Sequence, residues 1–257
     1  MYIIVDISFD IGTILLFFFI GLVAQMIHGS IGMAYGTIAA TALLIFGIPP
    51  AATSTATHVA KIFANGASGF SHWSLGNVDR RMLLMLLIPG ILGGAVGAVL
   101  LTNLSTEIGK TLLSVYLIAM GLLVLSNAIQ FQRLSMGRRR LVPLGAAGGF
   151  LDALGGSGWG PIVTSNLLAT KDQDIKQCVG TSNMAHFGVA VAITLMYTGV
   201  LSVDADWSPI IGLVSGALAG APLAAYVTGR MPTRFVLFVV GLLIILINVR
   251  ALLIAHV

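Results

Sequence analysis

Apolar stretches long enough to cross a lipid bilayer recur along the whole chain, and they constrain the fold more than any other feature. A transmembrane helix needs about 20 consecutive apolar residues, within a range of roughly 17–25. Only 9% of the 257 residues are charged and 57% are hydrophobic, whereas a water-soluble domain carries about 25% charged residues. Too few polar side chains remain to cover a globule in water. The sequence therefore predicts an all-α polytopic membrane protein.

Ten apolar helical elements can be drawn between the polar gaps. The second and seventh are too short to cross a hydrocarbon core of about 30 Å at roughly 1.5 Å per residue. We therefore expect these two to be half-helices or re-entrant segments. The ten elements cover residues 11–28, 36–48, 52–71, 82–103, 109–130, 141–155, 161–170, 177–199, 207–228 and 234–254.

The two halves of the sequence resemble each other in the order of their motifs. The segment HGSIGMAYG at 28–36 aligns with DALGGSGWG at 152–160, with glycine on glycine twice and aromatic on aromatic once. Further matches in the same order are Thr53-Ser54 with Thr181-Ser182, His58 with His186, and Gly90-xxx-Gly94 with Gly216-xxx-Gly220. The series predicts an N-terminal repeat at 1–130, a basic linker at 131–140 and a C-terminal repeat at 141–257.

A repeat of five elements is odd, so its second copy inserts with the opposite orientation. The basic residues agree with this topology, because placing the arginine-rich linker in the cytoplasm puts ten of the 13 Lys and Arg residues on that side, as the positive-inside rule expects. We expect a multi-pass protein of the cell inner (plasma) membrane with both termini periplasmic or extracellular.

Interrupted helices in inverted repeats are typical of secondary transporters, whose substrate sites lie near the bilayer midplane. Non-helical backbone is tolerated at that depth only where it is buried in protein or lines a wet cavity. Helix starts there present free N–H groups and a positive dipole end, which suit an anion. Pro161 suits such a start because its position needs no N–H donor. The two Thr-Ser pairs could cap the third and eighth elements or donate hydroxyls to a ligand.

Ionisable residues within membrane segments are functional by default, because a bare charge in lipid is costly. Lys61 lies one turn after His58 on the same face, and it either provides the positive charge of the site or extends to the interface. His58 and His186 either bind the ligand or hold the broken helices. Asp152 is either a proton carrier or an acceptor for backbone N–H groups, and His28 has the same two alternatives.

The candidate site collects the polar, glycine and aromatic residues of both breaks and of the helices that follow them. Gln25 and Asn65 are further candidates for its polar lining, and Asp152 and His28 are the proton-coupling candidates. The predicted substrate-binding residues are Lys61, His58, His186, Ser30, Gly32, Tyr35, Gly36, Thr53, Ser54, Ser157, Gly158, Trp159, Gly160, Thr181, Ser182 and Asn183.

Paired glycine-rich segments near the start of each half, each followed by a Thr-Ser pair, resemble the TauE/SafE family. This family is also called the sulfite exporter or 4-toluene sulfonate uptake permease family, and the resemblance extends from about Gly21 to Leu246. It implies an inner-membrane permease that moves sulfite, an organosulfonate or a related small anion without ATP. The expected function is therefore secondary transport of a small sulfur-containing anion, by alternating access at a midplane site.

Two other functions are compatible with parts of the sequence. Ser157 lies in a GGSG segment and His186 on a later helix, which is the local pattern of a rhomboid-like intramembrane serine protease. The repetition of serine and histidine in the first half argues against an enzyme. An anion channel of the same fold is the other alternative.

The expected partners are the small anion and the lipid bilayer, and nucleic acid is not expected because no basic stripe carries aromatic residues. The chain has no phosphate-binding P-loop, and its one cysteine, Cys178, offers no metal cluster. We therefore expect no cofactor and no metal. The Gly-xxx-Gly faces are compatible with close packing inside the chain or in a homodimer.

Overall fold

The computed structural model describes residues 10–31, 34–129, 140–168, 174–203, 206–227 and 233–255. These residues form ten helical elements, and the predicted boundaries differ from the observed ones by a few residues. The seventh element begins with a π-helical turn, and a second π-helical turn, Met196–Val200, extends the eighth. The elements are α1 Ile11–Ile31, α2 Tyr35–Ile45, α3 Pro50–Ser74, α4 Arg80–Thr102, α5 Thr106–Ile129, α6 Leu141–Gly155, α7 Gly160–Thr164 with Ser165–Leu168, α8 Ile175–Leu195, α9 Trp207–Val227 and α10 Thr233–Ala255.

Four helices within the described residues are long and apolar enough to cross a membrane. These spans are Ile11–His28, Arg80–Thr102, Thr106–Ser126 and Lys176–Val200. On α4 a stripe of large apolar side chains at every fourth position is exposed, which is the face that lipid covers. The all-α, multi-pass membrane fold predicted from composition is therefore confirmed. The stripe consists of Leu84, Ile88, Leu92 and Val96.

The least apolar long helix, α3, lies at the centre. Its 25 residues include Ser, Thr, Asn, His and Lys side chains, and most of these are buried against neighbouring helices rather than turned toward lipid. α3 packs antiparallel to α8, since Gly66 approaches Phe187 and Gly69 approaches Met184. Polar groups buried at a helix–helix contact can form hydrogen bonds with each other, whereas the hydrocarbon of the bilayer provides no hydrogen-bond partners.

Glycines bring four further helices into backbone contact as two parallel pairs. In the α4–α6 pair, a Cβ on Gly149 would lie 2.0 Å from the carbonyl oxygen of Gly90. In the α1–α9 pair, a Cβ on Gly216 would lie 2.1 Å from the carbonyl oxygen of Phe18. The predicted Gly-xxx-Gly faces thus serve packing inside the chain. α5 packs against α10 to complete the bundle.

The starts of α1 and α6 lie at opposite ends of the bundle. The backbone N–H of Asp10 donates to Ser208 Oγ at 3.3 Å. Asp206, two residues before Ser208, lines a cavity with Val203, and Val203 lines a second cavity with Leu101 and Thr102 at the end of α4. Near the start of α6, a Cβ on Gly145 would lie 2.6 Å from the carbonyl oxygen of Leu86, which is in the first half of α4 and so toward its other end. α1 and α6 therefore run in opposite directions along the bundle.

Candidate functional site

The two helix breaks meet backbone to backbone in the interior. α6 ends at Gly155, and the capping residue that follows, Gly156, adopts the left-handed conformation (φ 67°) that suits glycine. A Cβ on Gly36, in the first turn of α2, would lie 1.5 Å from the Gly156 carbonyl oxygen. Only glycine fits at residue 36, because any side chain there would separate the breaks. Ala34, just before α2, also has a left-handed backbone (φ 86°), which is strained for a residue with a Cβ.

A fully buried carboxylate, that of Asp152, lies beside this meeting point. Lys61 Nζ donates to Oδ1 at 2.8 Å and to Oδ2 at 3.0 Å, and the Trp159 backbone N–H donates to Oδ1 at 3.1 Å. His58 Nε2 lies 3.1 Å and His186 Nε2 2.8 Å from Oδ2. The predicted acceptor role of Asp152 for backbone across the break is thus observed. Its role as a proton carrier stays a prediction.

Lys61 connects the carboxylate to the break itself. Its Nζ also donates to the Gly156 carbonyl at 2.8 Å, and the residue is 3% exposed. The alternative that Lys61 extends to the membrane interface is therefore wrong. His58 and Lys61 share one face of α3, as their three-residue spacing predicts, and both reach Asp152. The site holds a lysine–carboxylate ion pair buried away from lipid.

The two histidines that align in the repeat converge on one oxygen atom from opposite helices. His58 is on α3 and His186 is on α8, and both contact Asp152 Oδ2. The His186 ring is stacked on Trp159 with 5.3 Å between ring centroids, and its Nδ1 lies 3.2 Å from Asn65 Nδ2. The histidines therefore hold the end of α6 between α3 and α8, and whether they also contact a ligand stays a prediction.

A narrow cavity of about 10 Å³ opens where the breaks meet. This space holds about one water molecule. Lys61 and His186 belong to both the cavity lining and the Asp152 cluster, so they connect the two. The predicted site residues that line the cavity are His28, Tyr35, Gly36, Lys61, Ser157, Gly160, Asn183 and His186.

Other predicted site residues lie behind the cavity wall. Trp159 is fully buried and donates from Nε1 to Ser182 Oγ at 3.1 Å, so it packs rather than lines the space. A Cβ on Gly158 would lie 2.5 Å from the backbone nitrogen of Asp152. Gly158 is therefore needed for the close approach that lets Trp159 bond the carboxylate. Gly32 and the side chain of Ser30 lie outside the described residues.

Neither Thr-Ser pair caps a helix. α3 begins at Pro50, so Thr53 lies inside its first turn and donates to the Ile48 carbonyl at 3.1 Å. α8 begins at Ile175, where Asp174 is the cap, and Thr181 lies more than a turn inside. Thr181 Oγ1 accepts from the Asp79 N–H at 2.9 Å. The serines of the two pairs form hydrogen bonds in the break region instead. Ser54 donates to the Ala153 carbonyl at 2.5 Å, and Ser182 bonds Trp159 and Thr164.

The structure does not favour the protease alternative. The Ser157 hydroxyl donates to Tyr116 Oη at 3.1 Å, rather than to a histidine. Both nitrogens of His186 face other groups, namely Asp152 and Asn65. A serine nucleophile needs a base within hydrogen-bond reach, and within the described residues His186 does not fill that role.

Several site residues were not predicted from sequence. Tyr116 on α5 bonds Ser157, Tyr197 donates to the Ala153 carbonyl at 2.8 Å, and Thr37 and Thr164 line the cavity. A tyrosine in an apolar helix carries no sequence signal of its own. Thr37 lies only one position after Gly36, so adjacency to the break could have identified it.

Comparisons with known proteins confirm the resemblance. The family model described as Sulfite exporter TauE/SafE matches residues 17–251. Two relatives from Bacillus subtilis (strain 168) are similar to the chain. The probable membrane transporter protein YtnM is 37% identical over 247 residues, which cover 93% of this chain and 82% of YtnM. The probable membrane transporter protein YdhB is 27% identical over 227 residues, which cover 85% of this chain and 90% of YdhB.

A third relative is the probable membrane transporter protein ORF9 of Sinorhizobium sp, 27% identical over 221 residues, covering 81% of this chain and 80% of ORF9. No solved structure matches the chain significantly. The family match extends over both halves and both breaks, and it agrees with the multi-pass helical fold. The chain therefore belongs to the sulfite exporter TauE/SafE family of membrane proteins.

Proposed function

We propose that this protein is a secondary transporter of a small sulfur-containing anion, such as sulfite or an organosulfonate. The observation that carries the proposal is the buried cluster of Lys61, two histidines and Asp152, beside a cavity where two broken helices meet. The printed description of the family model supports the substrate class. The site needs no cofactor for this role, because binding and conformational change suffice.

An alternating-access mechanism is supported by the arrangement of the helices. If the chain consists of inverted repeats at 1–130 and 141–257, α1 corresponds to α6, α4 to α9 and α3 to α8. The α1–α9 contact then corresponds to the α6–α4 contact, and both are parallel pairs joined by glycines. The opposite directions of α1 and α6 support the same symmetry, which would let either half rock about the site.

The described conformation is closed around the site. Its central cavity of about 10 Å³ is too small for sulfite, whereas cavities of about 250 and 350 Å³ lie at the end of the bundle that contains residues 46–51 and 201–203. An anion reaches the centre only if helices separate. By the positive-inside rule this end faces the periplasm or exterior of a cell inner membrane, together with both termini.

The first test is thermal stabilisation of the purified protein by a panel of anions, namely sulfite, thiosulfate, methanesulfonate, taurine and acetate. A ligand that binds the folded state raises its midpoint of unfolding. We expect stabilisation by a sulfur anion and none by acetate. The labelled form of the stabilising anion should enter proteoliposomes faster than it enters vesicles that contain no protein. Flux equal to that of empty vesicles for every anion in the panel would refute the proposal.

The same vesicles distinguish a carrier from a channel of the same fold. Unlabelled anion inside the vesicles should accelerate uptake of labelled anion through a carrier, because the loaded site returns faster than an empty one. A channel shows no such acceleration. Light scattering of the detergent-solubilised protein would show whether the active form is a monomer or the homodimer that the sequence allows.

A further inference from the structure

Hydrogen bonds around the His58 ring fix where one of its protons lies. Nδ1 is 2.7 Å from the Ser54 carbonyl oxygen and 3.3 Å from Ser54 Oγ. The single hydroxyl proton of Ser54 is donated to the Ala153 carbonyl at 2.5 Å. Both neighbours of Nδ1 therefore present lone pairs, and a carbonyl oxygen can only accept. Nδ1 of His58 must carry a proton.

The other nitrogen of the same ring then requires a second proton. Nε2 lies 3.1 Å from Asp152 Oδ2. A neutral imidazole with its proton on Nδ1 has a lone pair on Nε2, and an ionised carboxylate has no proton to donate. Without a further proton, the lone pairs of Nε2 and Oδ2 would therefore face and repel each other. An additional proton therefore lies between them, as imidazolium and carboxylate or as imidazole and carboxylic acid.

His186 reaches the same oxygen without needing such a proton. Its Nδ1 faces Nδ2 of Asn65 at 3.2 Å, and an amide nitrogen donates. The neutral ring can therefore accept at Nδ1 and donate from Nε2 to Asp152 at 2.8 Å. The two histidines, although they converge on one atom from aligned sequence positions, differ in proton content.

The additional proton gives the cluster a net positive charge. Lys61 contributes one positive charge, Asp152 one negative charge and the shared proton one positive charge. The other titratable groups near the carboxylate are the hydroxyls of Tyr116 and Tyr197, which bond Ser157 and the Ala153 carbonyl and which, as phenols, carry no charge at neutral pH. His28 also lines the cavity. A buried net charge is costly in a membrane. One monovalent anion beside Lys61 and His186 would neutralise it, once the helices separate enough to widen the adjacent cavity.

We propose that His58 and Asp152 form a proton-binding site, and that one proton and one monovalent anion bind and cross the membrane together. The inference rests on the proposed transport function and adds its coupling ion. The proton enters from water on the side where the site is open, is held between Nε2 and Oδ2 while the anion is occluded, and returns to water on the other side. Lys61 and His186 transmit the charge, because both line the cavity and contact Asp152.

The test is calorimetry of methanesulfonate and sulfite binding to the full-length protein, in two buffers that differ in protonation enthalpy. The wild type should take up about one proton per anion bound, and its affinity should fall about tenfold per pH unit above the pH at which the proton site is half occupied. His58→Gln donates an amide proton to Asp152, so the site needs no additional proton. Its proton uptake should fall to zero and its affinity should not depend on pH.

His186→Gln is the matched control, because it removes the other histidine from the same oxygen but not the shared proton. Its uptake should remain about one proton per anion. Glu107→Gln, an exposed substitution to glutamine at the start of α5, is the second control, and its proton uptake should equal that of the wild type. These comparisons separate the assignment to His58 from a general effect of charge.

Two results would overturn the inference while leaving the transport function intact. One is anion binding to the wild type without proton uptake, a measurement that needs no variant to fold. The other is loss of proton uptake in His186→Gln with retention in His58→Gln. A wild type that binds and moves none of the anions would instead refute the transport proposal itself, so the two failures are distinguishable.

Discussion

The buried carboxylate of Asp152 is costly to desolvate, and it is also the group that the other polar side chains of the site contact. An ionised carboxylate is tolerated at zero exposure only when donors surround it. Lys61, the Trp159 backbone and His186 are such donors, and His58 shares a proton with the carboxylate. Each belongs to a different turn or helix, so the carboxylate holds α3, α6, α7 and α8 in register.

Removing the lysine should therefore destabilise the protein more than removing both charges. In the anion-free protein, above the pH at which the proton site is half occupied, Lys61→Met leaves a buried carboxylate without its cation, and we expect the free energy of unfolding to fall by about 3–5 kcal/mol. Lys61→Met with Asp152→Asn should recover most of that loss, since no bare charge remains. Thermal unfolding in one detergent measures both variants.

The pH dependence of the single variant provides an internal check. Protonation neutralises Asp152 at low pH, so the deficit of Lys61→Met relative to wild type should shrink as the pH is lowered. A deficit that is the same at every pH, or a double variant as unstable as the single one, would show that Lys61 acts through packing rather than charge.

At this scale the sequence identifies the charged residues but not their partners. Lys61, Asp152 and the histidines are conspicuous because ionisable groups in apolar segments are costly. That cost gives no distance, however, and Lys61 and Asp152 lie 91 positions apart in the chain. Tyr116 and Tyr197 were missed because tyrosine is not costly in a membrane helix and their hydroxyls act only through contacts made by folding.

At the scale of elements, the helices were predictable to within a few residues, but the residues that begin α3 and α8 were not identified. Apolar periodicity and polar gaps locate all ten elements, including the short α2 and α7. The start of α3 is set by Pro50, which suits a first helical position, and that of α8 by the Asp174 cap. The Thr-Ser pairs were placed at those starts because hydroxyl residues favour caps, but inside a helix they bond carbonyls and neighbouring helices instead.

A single methyl group at the meeting point of the breaks should disable the site. A Cβ on Gly36 would overlap the Gly156 carbonyl oxygen, so Gly36→Ala forces α2 away from the end of α6. We expect a loss of about 1–3 kcal/mol in the free energy of unfolding, as for overpacked cores. Stabilisation by the anion identified in the panel should also be lost.

Gly199→Ala is the control for this change. Gly199 lies in the π-helical turn after α8, and a Cβ there would have nothing within 4 Å. We expect unchanged anion stabilisation. If Gly36→Ala retained full stabilisation by the anion, the contact between the breaks would not be required for binding.

At the scale of the whole molecule, composition predicts the membrane environment but not which helix is central. Nine charged residues in every hundred cannot cover a soluble globule, and that argument holds without any knowledge of packing. The central place of α3 follows from its polar content, since a helix with so many hydroxyl and ionisable groups must be shielded from lipid. The pairing of α1 with α9 and of α4 with α6 depends on glycine positions too common in membrane helices to be decisive alone.

The opposite directions of α1 and α6 predict a labelling pattern. Asp10 and Arg140 are both exposed and lie at opposite ends of the bundle. In a Cys178→Ala background, an impermeant maleimide added to intact cells should label Asp10→Cys and should label Arg140→Cys only after the membrane is opened. Cys178 is buried, so its replacement removes the one native thiol without altering the surface. Labelling of both positions from one side would exclude the inverted arrangement.

The contact between Gly36 and Gly156 has a mechanical consequence. Most contacts in a protein interior run through side chains, which can change rotamer and absorb a displacement of a few tenths of an ångström. Here two main chains touch with no side chain between them, so a shift of either tip is passed on without slack. The start of α2 and the end of α6 therefore meet without a compressible layer between them, and we expect a displacement of one tip to displace the other.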